Sequence, residues 1–244
     1  MTMIELAIDF VYQIVGKTNG IDPYFLCEIL GISIIDNCNL EKDGYLICSD
    51  GLKLIFVSNK INNRHRKRFV IAHEIGHFLM HREQLYCCSE ISVNQPQKVN
   101  TPIQEQQANE FASEILLPTN DFIGRLPAGH ISFALICKMA YIYDVSVTMT
   151  AMKAVKNSNT EEEILLCYEN NRLKWYATGN REIYPSQVPI RCPMELDVNS
   201  NYPSLIGYWD DLYVGAVSQE VFHPFGNQYL VLLAGHEWNT LGNY

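Results

Sequence analysis

Residues 68–81, RFVIAHEIGHFLMH, put two histidines and a glutamate inside an otherwise apolar helical pattern. His73 and His77 are four residues apart, so both imidazoles lie on one face of a helix, close enough to share one metal ion. Glu74 lies between them. The apolar neighbours predict a mostly buried helix, and buried histidines and carboxylates need polar partners. One metal ion would satisfy all three side chains.

The H-E-x-x-H arrangement is typical of zinc hydrolases. Glu74 is the predicted catalytic base, because its carboxylate would lie beside the metal and accept a proton from the attacking water. The alternative interpretation is a surface helix with two histidines and a solvated glutamate. The apolar side chains that surround the motif argue against that alternative.

A catalytic zinc site takes three protein ligands and keeps one position open, so the sequence must supply a third ligand. His81 is excluded, because it lies about 12 Å from His73 along a straight helix, whereas zinc–nitrogen bonds are about 2 Å long. We expect His81 either to contact a metal ligand without binding the metal itself, or to act as a cation at the helix C-terminus. The metzincin extension also fails, since it needs Gly and His where the chain has Met80 and Glu83.

The better candidate is Glu105, on the next predicted helix, EQQANEFASEILLP. Glu105 and Ala108 share one face of that helix. A residue as small as Ala108 lets the two helices approach closely enough for Glu105 to reach the metal. Glu110 lies about 140° around the helix from Glu105, so both cannot face the metal. Glu110 and Glu114 are therefore predicted to be solvated.

The rest of the chain predicts an α+β fold with a small antiparallel sheet and a β-rich C-terminal module. Helical periodicity predicts further helices over residues 4–16, 23–31, 131–143 and 147–155. Three short β-prone runs, at 32–36, 44–49 and 52–58, predict the sheet, with a turn at Ser49-Asp50-Gly51. Beyond residue 163, apolar runs separated by prolines predict more strands.

Charge divides the 244-residue chain near residue 158. The net charge is −9, and residues 158–244 carry 11 acidic and four basic residues. The sequence KNSNTEEE at the boundary predicts a polar linker. We therefore predict one domain over 1–157 and an acidic module over 158–244. Residues 131–157 look like a helix-turn-helix, but the second helix has only Lys153 and Lys156, so direct nucleic-acid binding is not expected.

The chain has no pattern that predicts a membrane protein. No apolar run approaches the roughly 20 residues of a spanning helix, and the N-terminus lacks the basic start of a signal peptide. The eight cysteines are scattered without a C-x-x-C pair, which predicts reduced thiols in a cytoplasmic protein. A switch or metal cap at Cys87-Cys88 is weighed against idle thiols, which we favour. The basic cluster at 64–68 is predicted to be a solvated turn rather than a grip on an acidic partner.

The two motifs together, RFVIAHEIGHFLMH followed by EQQANEFASEILLP, resemble the ImmA/IrrE-type metallopeptidases over about residues 1–157. The resemblance implies a zincin-like core with Zn²⁺ held by His73, His77 and Glu105, and Glu74 as catalytic base. It also implies a protein substrate: a DNA-binding repressor whose cleavage induces genes of a mobile element or a stress response. The acidic tail could recruit such a basic substrate, pack as a structural module or sense a small ligand.

Two alternative functions stay open. One is a non-catalytic regulatory protein that binds zinc structurally and acts by protein binding, and the other is a toxin-like protease with another target. Glu74 argues against the first, because a structural site needs no base and closes its fourth position with a fourth ligand. The side chains available as an oxyanion stabiliser are Tyr86, Tyr141, Tyr143, His130 and His223.

Overall fold

The computed structural model describes residues 1–49, 51–81, 102–158, 160, 163–179, 182–191, 212, 216–224 and 227–236. Cys87, Cys88 and Tyr86 lie outside the described residues. The predictions for those residues stay predictions.

The described residues form seven α-helices, seven β-strands and one short 3-10 helix, and the predicted α+β class is confirmed. The first half contains α1 Met3–Val15, α2 Pro23–Leu30, β1 Ser33–Cys38, β2 Gly44–Ser49, β3 Leu52–Ser58, α3 Arg64–Met80 and α4 Ile103–Leu116. The second contains α5 Thr119–Ile123, α6 Phe133–Tyr143, α7 Val147–Lys156, β4 Glu163–Glu169, β5 Arg172–Thr178, the 3-10 helix Pro185–Gln187, β6 Ala216–Phe222 and β7 Gln228–His236.

These elements form two compact units. The first contains the described residues within Met1–Val93, Gln97–Phe122 and Ile142–Ser146, and the second those within Ile123–Tyr141 and Val147–Tyr244. Most of α6 and all of α7 therefore belong with the C-terminal strands, whereas the link between these two helices belongs to the first unit. The domain boundary near residue 158 stays a prediction. No single helix in the described ranges is long and apolar enough to cross a membrane.

The sheet of the first unit is mixed, with strand order β1-β3-β2. The prediction of an antiparallel sheet is correct for the β2–β3 hairpin and wrong for β1, which pairs with β3 in parallel. The cause is the connection over residues 39–43. It passes from one edge of the sheet to the other, a distance of about 10 Å for two strand spacings, and turns the chain back. β1 and β2 are thus opposed, and the central β3 must run parallel to β1.

The basic cluster 64–68 forms the first turns of α3, and the prediction of a solvated turn is wrong. Its side chains pair with aspartates from four other segments of the first unit: Arg64 with Asp144, Arg66 with Asp43, Lys67 with Asp36 and Arg68 with Asp22. Positive charge at a helix N-terminus opposes the helix dipole, and the aspartates offset that repulsion. Single pairs of this exposure contribute about 0–1 kcal/mol, so they orient α3 more than they stabilise it.

The metal-motif helix α3 packs closely against α4. Residues 69–78 of α3 are buried without interruption. A Cβ atom on Gly76 would lie 3.0 Å from Cδ1 of Phe111 and 3.2 Å from Cα of Ala108. Ala108 is fully buried. The small face that the sequence predicts on α4 therefore meets a glycine on α3, and the two backbones come as close as side chains allow.

The second unit contains an antiparallel sheet with strand order β5-β4-β7-β6. Ile164, Leu166 and Tyr168 of β4 pack in one core with Val231 and Leu233 of β7. Helix α7 contacts β4 and β5, and eight of its ten residues are buried.

Lys153 and Glu163 are both buried in this unit, and the second corrects a prediction. Glu163, assigned from the sequence to a polar linker, is buried at the start of β4. It accepts hydrogen bonds from the hydroxyl of Ser158 at 2.6 Å and from the backbone N–H of Ile131 at 3.4 Å. These donors satisfy the buried carboxylate of Glu163. The sequence EEE at 161–163 does not show that its last glutamate is buried.

We expect Gly76→Val to destabilise the protein. The added side chain must push α4 away from α3, and such overpacking costs about 1–3 kcal/mol. Urea unfolding followed by circular dichroism measures the effect. Gly129→Val is the matched control, because Gly129 is exposed and a Cβ there meets nothing within 4 Å. A Gly76→Val protein as stable as this control would contradict the close packing of the two helices.

Candidate metal centre

The two histidines of α3 face each other inside the first unit. His73 is fully buried and His77 is 2% exposed. Their Nε2 atoms are 3.0 Å apart, and the rings meet edge to face at a centroid distance of 4.7 Å. The four-residue spacing on α3 creates this approach, as the sequence predicts.

Helix α4 brings the third group to the same point. Oε2 of Glu105 lies 3.3 Å from Nε2 of His73, and Oε1 lies 3.6 Å from Nε2 of His77. His73, His77 and Glu105 are all buried, and one ligand atom from each lies within 4.8 Å of the others. The structure therefore brings together all three side chains that the sequence predicts as ligands.

The separations of these atoms fit a tetrahedral zinc ion. Zinc binds nitrogen and carboxylate oxygen at about 2.0–2.2 Å, so neighbouring ligands of a tetrahedral site lie about 3.3 Å apart. In the structure the two Nε2 atoms lie 3.0 Å apart, Oε2 of Glu105 lies 3.3 Å from His73, and Oε1 lies 3.6 Å from His77. Two imidazole nitrogens and one carboxylate are also the donor set of a well-known class of catalytic zinc site. The residues present thus fit the metal that the sequence implies.

The protonation of the cluster also suits a cation. Burial raises the pKa of Glu105, but the contacts of its carboxylate with His73 and His77 outweigh that effect and hold the pKa well below its ordinary value. Burial lowers the pKa of His73, against the opposing effect of Glu105. An ionised carboxylate beside a neutral imidazole is the state in which both groups bind metals.

Both histidines are oriented from their far side. Nδ1 of His73 lies 3.0 Å from Oδ1 of Asn109, to which it donates. Nδ1 of His77 lies 3.2 Å from Nδ1 of His81, and Nε2 of His81 lies 3.0 Å from Oε1 of Gln107. Such outer partners fix the ring orientation and the tautomer of metal-binding histidines. His81 thus contacts His77, the predicted ligand, as the first of its two predicted roles requires.

Glu74 is fully buried on α3, where its carboxylate lies next to β2. A Cβ atom on Gly44 would come within 2.8 Å of Oε1 of Glu74 and within 2.5 Å of a methyl carbon of Val70. Glycine at the start of β2 is therefore what lets the strand pass over the carboxylate. Sequence reasoning missed Gly44, because its importance arises only from the contact between β2 and α3.

The other two acidic residues of α4, Glu110 and Glu114, differ in their exposure to solvent. Glu110 is exposed, as predicted. Glu114 is half-buried, and the prediction that it is solvated is wrong: it accepts hydrogen bonds from the hydroxyl and the backbone N–H of Thr119, the latter at 2.8 Å. Thr119 begins α5, whose first amide groups need acceptors.

The structure describes four of the five candidates for an oxyanion stabiliser, and their surroundings differ. The phenol of Tyr143 donates to Asp121, whereas Tyr141 is 89% exposed. Nδ1 of His130 lies 3.3 Å from Glu163, and the ring of His223 contacts Tyr229. Sequence reasoning also missed Asn109 and Gln107 as partners of the histidine pair. Asn109 lies four residues after Glu105 on the same face of α4, which is the signal that could have identified it. Gln107 lies two residues after Glu105, so helical spacing gives no such signal for it.

Comparison with known proteins defines the class to which this fold and site belong. Residues 27–154 match the Peptidase_M78 family, described as the IrrE N-terminal-like domain. The chain belongs to this ImmA/IrrE family, as its two motifs predict.

Two individual proteins are similar to this chain in sequence or in fold. The metallopeptidase ImmA of Bacillus subtilis (strain 168) is 33% identical over 106 residues, which cover 43% of this chain and 60% of that protein. The structure of a Mycobacterium tuberculosis transcriptional regulator covers 99% of this chain and 92% of its own, with a TM-score of 0.55 and 13% identity. At that identity the second likeness concerns the fold alone.

We expect Glu105→Ala to lower zinc occupancy sharply, because it removes one of three converging donors. The measurement is the zinc content of purified protein after equilibration with a limiting chelator. Glu110→Ala is the matched control, since it removes an exposed carboxylate from the same helix. Equal occupancy in the two variants would move the third ligand away from Glu105.

Proposed function

We propose that this protein is a zinc-dependent endopeptidase. The observation that carries the proposal is the convergence of His73, His77 and Glu105 on one buried point, with Glu74 adjacent in sequence. Membership of a metallopeptidase family supports the same conclusion. The match spans 60% of the length of the Bacillus subtilis metallopeptidase ImmA, so a metallopeptidase activity of this chain is part of the proposal.

Zinc would be held by Nε2 of His73, Nε2 of His77 and the carboxylate of Glu105. When bound, zinc supplies a Lewis acid that polarises the scissile carbonyl and makes water acidic enough to ionise near neutral pH. Three protein ligands leave a position for solvent or substrate, as catalytic zinc sites require. A structural site would instead close that position with a fourth side chain.

Glu74 performs the proton transfers in this proposal. Its carboxylate accepts a proton as water attacks the carbonyl carbon, and returns that proton to the amine nitrogen as the carbon–nitrogen bond breaks. One water is consumed, and a carboxylate and an amine leave. General acid–base catalysis of this kind contributes typically about 10²–10⁴-fold to the rate. The tight contact with β2 at Gly44 restricts the carboxylate to few orientations, which favours efficient transfer.

The proposed substrate is a DNA-binding repressor, whose cleavage would induce genes of a mobile element or a stress response. The family resemblance supports this substrate, as does the net charge of −9. DNA-binding proteins carry clustered positive charge, and an acidic protease attracts them at long range. The 11 acidic residues among positions 158–244 strengthen that attraction on one part of the chain.

We expect Glu74→Gln to retain zinc but to lose cleavage by about 10²–10⁴-fold, because the amide cannot accept the proton. Zinc content and the initial rate of substrate cleavage are measured on the same preparation. Glu110→Gln, on the exposed face of α4, is expected to cleave at the wild-type rate. Full cleavage by zinc-loaded Glu74→Gln protein would contradict the role of Glu74.

The substrate is tested by incubating the zinc-loaded protein with the repressor encoded nearest to its gene. We expect a discrete cut that a chelator abolishes and added zinc restores. An intact repressor that nevertheless forms a stable, zinc-dependent complex with the protein would favour the non-catalytic regulator. Chelator-sensitive cleavage of another protein alone would favour the toxin-like protease.

A further inference from the structure

We propose that His81 and Gln107 form a two-residue relay that fixes His77 in the tautomer required for metal binding. The inference rests on the proposed zinc site and deepens it. It assigns a positioning role to two residues outside the set of ligands. The juxtaposition that carries it is the chain of contacts from His77 through His81 to the side-chain amide of Gln107.

The metal-facing atom of His77 is defined by its neighbours. Nε2 of His77 lies 3.0 Å from Nε2 of His73 and 3.6 Å from the carboxylate of Glu105. This nitrogen must therefore present its lone pair to the ion. A neutral imidazole carries one proton, so the proton of His77 must be on Nδ1.

His81 receives that proton in a hydrogen bond. Its Nδ1 lies 3.2 Å from Nδ1 of His77, so it has to act as the acceptor. The single proton of a neutral His81 is then on Nε2. Nε2 of His81 lies 3.0 Å from Oε1 of Gln107, which can only accept. Each group thus donates to the next, from His77 to His81 to Gln107.

The chain of hydrogen bonds can also run in the opposite direction. If the amide of Gln107 turned its NH₂ group towards His81, His81 would carry its proton on Nδ1 and donate it to His77. His77 would then hold its proton on Nε2 and could not bind a metal through that atom. The orientation of one amide on α4 therefore favours or opposes metal binding by a histidine on α3.

The fold connects the relay to the third ligand. Gln107 lies two residues after Glu105 on α4, and His81 caps the C-terminus of α3. The same approach of the two helices that brings Glu105 to the metal brings Gln107 to His81. A helix that carries a ligand thus also sets the tautomer of another ligand. Outer partners of metal-binding histidines typically contribute about 10–100-fold to metal affinity.

A double-mutant cycle tests the relay by zinc affinity, measured by competition with a chromophoric chelator. We expect His81→Phe and Gln107→Met each to weaken zinc binding by about 10–100-fold. The double variant should bind no more weakly than His81→Phe alone, because both changes interrupt one chain. Gln107→Glu, which keeps an acceptor for His81, should bind zinc at least as tightly as the wild type.

Gln106→Met is the matched control, since Gln106 lies on the same helix and the hydrogen bond described for its side chain goes to the exposed Glu110 at 3.4 Å. We expect it to bind zinc as the wild type does. Additive losses in the double variant, or wild-type affinity in both single variants, would overturn the relay. A wild-type protein that binds no zinc would instead overturn the proposed function itself.

Nitrogen-15 NMR of histidine-labelled, zinc-loaded wild-type protein tests the relay without any variant. We expect His77 to be protonated on Nδ1 and His81 on Nε2. The opposite tautomer of His81 would overturn the relay even if a His81 or Gln107 variant failed to fold.

Discussion

The close packing of α3 against α4 is the constraint on which the candidate site depends. Gly76 and Ala108 let the two backbones approach closely, so a carboxylate on α4 can reach two imidazoles on α3. The ion pairs around the first turns of α3 act on the same helix from its other end, where four segments of the first unit hold it in place.

Burial makes this cluster costly unless its charges and lone pairs are matched. An ionised carboxylate in a low-dielectric interior would lose several kcal/mol of solvation without partners, and buried imidazoles also need hydrogen-bond partners. Asn109 and the His81–Gln107 pair satisfy the outer nitrogens, which turns both inner nitrogens towards Glu105. Three lone-pair donors facing one another are stabilised by a shared cation, and the geometry of the site thus follows from the same electrostatics as its proposed chemistry.

Much of this site was predictable because its signals are local. The spacing of His73 and His77 and the shared face of Glu105 and Ala108 follow from helical periodicity alone. The parallel pairing of β1, the contact between Gly44 and Glu74, and the buried Glu163 were not predictable in this way. Each depends on a contact between segments that are far apart in the chain, and the local sequence pattern does not predict such contacts. The aspartate partners of residues 64–68 were missed for the same reason, since they come from four separated positions.

A crystal structure of the zinc-loaded protein would test the central claim most directly. The account predicts one zinc ion per chain, bound by Nε2 of His73, Nε2 of His77 and one oxygen of Glu105, with solvent as the remaining ligand. A fourth protein side chain on the ion, or a zinc site from which the carboxylate of Glu105 is absent, would contradict it.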